Sequence, residues 1–87
     1  MSEIETGTKP LPEVDARGLA CPQPVLLLRE AVADLAPGAR VALLATDPLA
    51  PVDVAAWCLR AGHVLVEESV VGGMYRFVVQ RGDAPSG

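Results

Sequence analysis

The sequence has few aromatic residues. One Trp, one Tyr and one Phe are spread over 87 residues, although 51% of the residues are hydrophobic. A core made from this composition must be aliphatic and is filled mainly by Val, Leu and Ala. The length is sufficient for one small domain and too short for two.

Cysteine and histidine are also scarce. The two cysteines, Cys21 and Cys58, are too few for a disulfide scaffold. They form no metal-type pair, and His63 is the only histidine that could join them. No metal site is therefore expected.

Clusters of positive charge and long apolar runs are missing as well. The net charge is −4, and the seven Lys and Arg residues are scattered, which argues against direct binding to nucleic acid. No apolar run approaches the roughly 20 residues that span a membrane. Residues 1–11 are polar and lack the pattern of a signal peptide. We therefore expect a cytoplasmic protein whose thiols stay reduced.

One short stretch, residues 18–24, delivers a cysteine to the start of a predicted helix. Pro22 suits the first helical position, which makes Cys21 the N-cap residue and places Pro24 third. The backbone N–H of Gln23 is then the expected donor to the Cys21 sulfur. A thiol at a helix N-terminus has a lowered pKa and is a better nucleophile. The alternative is that Cys21 is a small buried hydrophobic residue.

The remaining pattern predicts alternating strands and helices. The predicted strands are 12–16, 39–45, 63–71 and 74–81, and the predicted helices are 22–35 and 50–61. The continuous apolar run 41–44 indicates a central strand that is buried on both faces. Gly72-Gly73 is typical of a two-residue hairpin. Strict alternation would place Val64 and Val70 on the same face of their strand.

This order, βαβαββ, predicts an α/β two-layer sandwich. Right-handed crossovers place both helices on one face of a four-stranded mixed sheet, although the strand order stays open. We expect a disordered leader at residues 1–11, a folded domain at residues 12–81 and a flexible tail at residues 82–87. Chemistry in such sheets gathers where strands end and helices begin, which is where Cys21 lies.

The segment from Asp15 to Val25, DARGLACPQPV, closely resembles the CPxP signature of the TusA/SirA-like sulfur-carrier proteins. The resemblance extends over about residues 14–81. It includes Pro37-Gly38, Thr46-Asp47-Pro48, Asp53 and Tyr75-Arg76-Phe77. The chain departs from the family pattern at Ala50-Pro51-Val52, because many members carry a basic residue in this region.

The resemblance implies a sulfur carrier, an enzyme only in the sense of group transfer (a sulfurtransferase). Cys21 would accept sulfane sulfur as a persulfide from a cysteine desulfurase or a rhodanese. The acceptor would be a protein of tRNA thiolation, of molybdenum-cofactor supply or of sulfur oxidation. No cofactor is implied, and we expect a monomer.

Two other functions stay open. One is a non-catalytic regulatory or interaction module that uses the same loop as a binding surface. The other is a thiol-disulfide oxidoreductase, which requires Cys21 and Cys58 to meet. We expect Cys58 to pack in the core instead.

The candidate site residues fall into three groups. Cys21 is the expected catalytic residue. The residues expected to support its loop and the helix start are Asp15, Gly18, Pro22, Gln23 and Pro24. The candidates for partner docking are Arg17, Arg29, Asp47 and Asp53. Ordinary solvated charge is the alternative for both arginines, and turn and cap roles are the alternative for both aspartates.

Overall fold

The computed structural model describes residues 11–82. The elements are β1 (Glu13–Ala16), α1 (Gln23–Ala33), β2 (Arg40–Ala45), α2 (Ala50–Ala61), β3 (Val64–Val71) and β4 (Met74–Gln80). This is the predicted order βαβαββ. Residues 1–10 of the expected leader and 83–87 of the expected tail lie outside the described residues.

The four strands form one mixed sheet in the order β1-β2-β4-β3. Strands β1 and β2 are parallel, whereas β4 is antiparallel to both β2 and β3. Side chains of α1 and α2 share one hydrophobic cluster with one face of the sheet. The predicted α/β sandwich with a four-stranded mixed sheet and two helices is confirmed.

The core is aliphatic and centred on β2 and β4. Leu43 and Phe77 are paired across these strands, and both are fully buried in the cluster beneath the helices. On β2, the adjacent Ala42 is also fully buried, and it points to the other face of the sheet because side chains alternate. The prediction that β2 is a central strand buried on both faces is confirmed.

Helix α2 has the predicted limits, and Gly62 explains where it ends. Gly62 has a φ of +83° in the left-handed region, and its N–H donates to the Cys58 carbonyl over 3.0 Å. Glycine adopts this conformation without the steric cost that a Cβ atom imposes. Neither α1 nor α2 is long and apolar enough to cross a membrane, and the statement covers residues 11–82 only.

Strand β3 departs from the predicted alternation. A β-bulge between Leu65 and Glu67 shifts the register with β4, so that Val64 pairs with Gln80 and Val70 pairs with Tyr75. Gln80 and Tyr75 lie an odd number of residues apart and therefore face opposite sides of the sheet. The prediction that Val64 and Val70 share a face is therefore wrong, because the extra residue of the bulge inverts the alternation.

The turn after β3 is the predicted hairpin. Gly72 and Gly73 have φ values of +59° and +81°, and Val71 pairs with Met74 on either side of them. Two consecutive positive φ values are typical of a type I′ turn, whose twist suits a two-residue hairpin.

His63 joins the end of α2 to the end of β4. It is 9% exposed, and its ring centroid lies 5.0 Å from that of Trp57. Its Nδ1 accepts a hydrogen bond of 3.0 Å from the backbone N–H of Gly82. Burial, together with the positive charge of Arg81, lowers the pKa of His63 below its ordinary value of 6.5.

Acidification is expected to destabilise the fold through His63. As the pH falls through 6.5, the unfolded chain binds a proton before the folded chain does, because the folded pKa is lower. This contribution to the free energy of unfolding is therefore complete above pH 6.5 and is lost below it, by at most about 1.4 kcal/mol per pH unit. Urea unfolding followed by Trp57 fluorescence at a series of pH values measures the effect.

The matched control is His63→Asn, which keeps an acceptor in the Nδ1 position and does not titrate. We expect this variant to lose the pH dependence that begins near 6.5. An unchanged dependence in the variant contradicts the assignment to His63.

Candidate functional site

The candidate site lies at the edge of the sheet where β1 and β2 both end. The loop after β1 turns sharply at Gly18, whose φ of +82° lies in the left-handed region that favours glycine. Its N–H donates to the Thr46 hydroxyl over 2.9 Å, and Thr46 directly follows β2. This bond ties the loop that carries Cys21 to the loop that leads into α2.

Asp15 and Arg17 brace the start of this loop. The Asp15 carboxylate accepts hydrogen bonds from the Arg17 backbone N–H at 3.1 Å and from its Nε and Nη2 atoms at 2.8 Å. These bonds lower the pKa of Asp15 to about 2. Both side chains are more than half exposed, so the pair organises the turn and is worth little as a surface ion pair.

Helix α1 begins one residue later than predicted. Pro22 is the N-cap residue, and Gln23 and Pro24 occupy the first two helical positions. The Gln23 N–H donates to the Ala20 carbonyl over 2.9 Å, and no side chain caps this helix end. The predicted bond from Gln23 to the Cys21 sulfur is therefore wrong, because a backbone turn provides the acceptor instead.

Cys21 is half-buried, and a residue of the neighbouring loop holds its backbone in place. Its backbone N–H donates to Asp47 Oδ2 over 3.2 Å. The other oxygen of this carboxylate, Oδ1, accepts from the Leu49 N–H over 2.8 Å. Asp47 thus has the turn role that the sequence suggested, and it also fixes Cys21. The sequence contained no signal for this second contact, since 26 positions separate the two residues.

The environment of the Cys21 thiol disfavours its ionised form. Burial raises its pKa, and the hydrogen bond to the Asp53 carboxylate and the negative charges of Asp47 and Asp53 raise it further, to about 12. The predicted lowering of the pKa is wrong. The partial positive charge of a helix N-terminus is a small effect, and burial together with two nearby carboxylates outweighs it.

A small apolar cavity lies beside the site. It has a volume of about 320 Å³ and is lined by Leu19, Gln23, Leu26 and Leu27. Leu19 and Gln23 are two residues before and after Cys21, and Leu26 is 41% exposed. An apolar side chain of a visiting protein has room to enter this cavity.

The remaining site candidates lie apart from this arrangement. Cys58 is 3% exposed and belongs to the hydrophobic core, as expected, and burial raises its pKa to about 11. Both cysteines are free thiols. Arg29 is exposed on α1.

Replacing Asp53 is expected to make the Cys21 thiol more reactive. In Asp53→Asn, the negative charge next to the sulfur is removed, so the pKa falls and more thiolate is present at neutral pH. Each unit by which the pKa falls raises the thiolate fraction about tenfold. The rate of alkylation of Cys21 by iodoacetamide, followed by mass spectrometry, measures the change.

Asp34→Asn is the matched control, because Asp34 is an exposed carboxylate at the opposite end of α1. We expect its alkylation rate to equal that of the unmodified sequence. If Asp53→Asn reacts no faster than Asp34→Asn, the carboxylate does not hold the thiol protonated.

Comparison with known proteins agrees with this architecture and this loop. The family model described as Sulfurtransferase TusA matches residues 12–81. The Sulfur carrier protein TusA of Pseudomonas paraeruginosa is 41% identical over 68 residues, which cover 78% of this chain and 86% of that protein. The protein of the same name from Pseudomonas aeruginosa PAO1 gives the same values.

A solved structure shares the fold. The crystal structure of the SirA-like protein from Desulfitobacterium hafniense superimposes with a TM-score of 0.74, at 23% sequence identity. The match covers 84% of this chain and 100% of that one. On the family model and the identity to its curated members, the chain belongs to the TusA sulfurtransferase family.

Proposed function

We propose that this protein is a sulfur carrier that accepts sulfane sulfur as a persulfide on Cys21 and passes it to an acceptor protein. One observation supports the choice of thiol above all others. Cys21 is half-buried at the end of a loop, whereas Cys58 is 3% exposed and packed within the core. Only Cys21 is within reach of the reactive sulfur of another protein.

The proposed loading step is an exchange between two cysteines. The Cys21 sulfur attacks the terminal sulfur of a persulfide on the donor protein, and a new S–S bond forms. The S–S bond of the donor breaks, and the donor cysteine leaves as a thiolate that takes up the proton lost by Cys21. The product is a persulfide on Cys21, and no external oxidant or reductant is consumed. In the delivery step, a thiolate of the acceptor attacks the outer sulfur of the Cys21 persulfide, and Cys21 leaves as a thiolate.

The local charges make this step dependent on the partner. A thiol whose pKa is about 12 is almost fully protonated at neutral pH, and only the thiolate attacks. A cationic group of a donor protein placed against Asp47 and Asp53 would offset the two carboxylates and lower the pKa of Cys21. Asp47 and Asp53 are therefore our preferred docking residues. Arg17 is less suited, because it is already paired with Asp15.

The absence of a second thiol in the loop supports storage of the sulfur. Pro24 occupies the position at which a C-x-x-C motif has its second cysteine, and Cys58 is buried. A persulfide on Cys21 therefore has no neighbouring thiol that could release the carried sulfur by forming a disulfide. The same burial of Cys58 argues against a thiol-disulfide oxidoreductase.

The partners proposed for this chain are those of a sulfur relay. The donor is a cysteine desulfurase or a rhodanese. The acceptor is a relay protein of tRNA thiolation, of molybdenum-cofactor supply or of sulfur oxidation. We place the protein in the cytoplasm, where thiols stay reduced. The carrier is an enzyme in the sense of group transfer and uses no cofactor in this scheme.

The raised pKa of Cys21 favours one alternative, a non-catalytic module that binds partners through the same loop. Such a module needs the shape of the loop and not the reactivity of the sulfur. Cys21→Ser separates the two functions, because it keeps a side chain of similar size. A variant that binds its partners and supports cellular function normally favours the module over the carrier.

Persulfide loading provides the direct test. After incubation with a cysteine desulfurase and free cysteine, or with a rhodanese and thiosulfate, the intact protein is expected to gain the mass of one sulfur atom. A thiol reductant is expected to remove it. The adduct should be lost in Cys21→Ala and retained in Cys58→Ala, which is the matched control. Absence of any adduct on Cys21 with both donors refutes the carrier function.

A further inference from the structure

The outward face of α2 is apolar. Leu49, Val52 and Leu59 are 60%, 67% and 84% exposed. Val52 and Leu59 lie opposite the side of the helix that carries the buried Val54, and Leu49 lies at the edge of this outward face. An amphipathic helix on the surface of a domain normally presents charged and polar residues on this side. An apolar outward face is instead typical of a helix that packs against a further partner.

The spacing along this face is that of a coiled-coil seam. Leu49 and Ala56 are seven residues apart, as are Val52 and Leu59, and the two pairs are offset by three. They therefore occupy a and d positions of two consecutive heptads. Leu49 directly precedes the helix with helical φ and ψ angles of −87° and −7°, so it continues the same face.

The charges beside the seam complement one another when the helix meets a second copy of itself. Asp53 and Arg60 are also seven residues apart and follow the d positions, so both lie at e. Antiparallel packing about a two-fold axis brings e positions of the two copies together. Asp53 of each copy then faces Arg60 of the other, and the a positions of each copy pack against the d positions of the other.

Arg60 is exposed, whereas Asp53 is half-buried beside the Cys21 thiol, with which its carboxylate also interacts. Among the ion pairs within residues 11–82, none involves Asp53 or Arg60. Asp53 lies in the first turn of α2 and Arg60 in its last turn, and antiparallel packing also places the opposite ends of two helix dipoles side by side. A parallel arrangement would pair neither the opposite charges of Asp53 and Arg60 nor the opposite ends of the two helix dipoles.

We propose that α2 is a self-association surface, on which two copies of this chain pack their α2 helices antiparallel about a two-fold axis. The inference does not depend on the proposed sulfur-carrier function. A contact made by one 12-residue helix from each copy belongs to the small interfaces, below about 1,200 Å² of buried surface. The charge of −4 on each copy also opposes association. The proposed dimer is therefore weak and dissociates into monomers when dilute.

The first test measures association directly. Sedimentation equilibrium of the full chain from micromolar to millimolar concentration is expected to show a reversible monomer–dimer equilibrium. Leu59→Glu is expected to lower the association constant roughly tenfold or more, because it places a charge in the apolar contact. Val71→Glu is the matched control, since Val71 is 75% exposed and lies on β3, away from α2. We expect it to associate like the unmodified sequence.

The second test examines the antiparallel geometry. Arg60→Asp and Asp53→Arg each create like charges across the axis, and each variant alone is expected to associate less. An equimolar mixture of the two variants restores opposite charges at both contacts and is expected to regain the association of the unmodified sequence. Circular dichroism establishes that each variant is folded. Should Asp53→Arg fail to fold, the comparison of Leu59→Glu with Val71→Glu decides the proposal.

Three results overturn it. The first is a chain that stays monomeric at millimolar concentration. The second is equal association of Leu59→Glu and Val71→Glu. The third is a monomer that binds a different protein through α2, which assigns the face to another partner. Failure of the mixed variants to recover association overturns the antiparallel arrangement.

Discussion

The geometry of the candidate site depends on a hydrogen bond between two loops. The N–H of Cys21, in the loop after β1, donates to the carboxylate of Asp47, in the loop after β2. The two strands are parallel neighbours, so their loops leave the sheet at the same edge. The Gly18 bond to Thr46 joins the same loops a second time. Because both bonds anchor backbone amides, they determine where the loop and its thiol lie.

The carboxylate that positions the thiol also keeps it protonated. Asp47 holds the Cys21 amide, and its charge, with that of Asp53, raises the pKa of the sulfur. Asp47 thus holds the Cys21 thiol in position and at the same time lowers its reactivity. This combination suits a carrier that encounters many molecules and must exchange sulfur with few, since a protonated thiol reacts slowly with small electrophiles. A partner that brings positive charge to the two carboxylates changes the balance only within the complex.

The sequence was sufficient to predict the order of elements, because each has a strong local signal. The apolar run 41–44 identified the central strand, and Gly72-Gly73 identified the hairpin. The motif at Cys21 identified the family, and it also predicts where the candidate site lies.

The sequence was not sufficient where the answer depended on residues far apart in the chain. The pKa of Cys21 is raised first by burial of the thiol and then by Asp47 and Asp53, and all of these arise only in the folded chain. No residue type in β3 signals the bulge between Leu65 and Glu67. This bulge reversed the predicted face of Val70. Similarly, the Gln23 N–H donates to the Ala20 carbonyl and not to the Cys21 sulfur, because helix α1 begins one residue later than the prolines suggest.

Asp53 connects the two proposals physically. Its carboxylate faces the Cys21 thiol, and it also lies at the edge of the apolar face of α2. If Arg60 of a second copy pairs with Asp53, the positive charge offsets the carboxylate and the thiol ionises more easily. Linkage is reciprocal, so ionisation of Cys21, which places two negative charges side by side, must strengthen the pairing with Arg60 by the same factor. In such a dimer, the state of the sulfur and the state of association would be coupled through one side chain, and a neutral residue in place of Asp53 would remove the coupling.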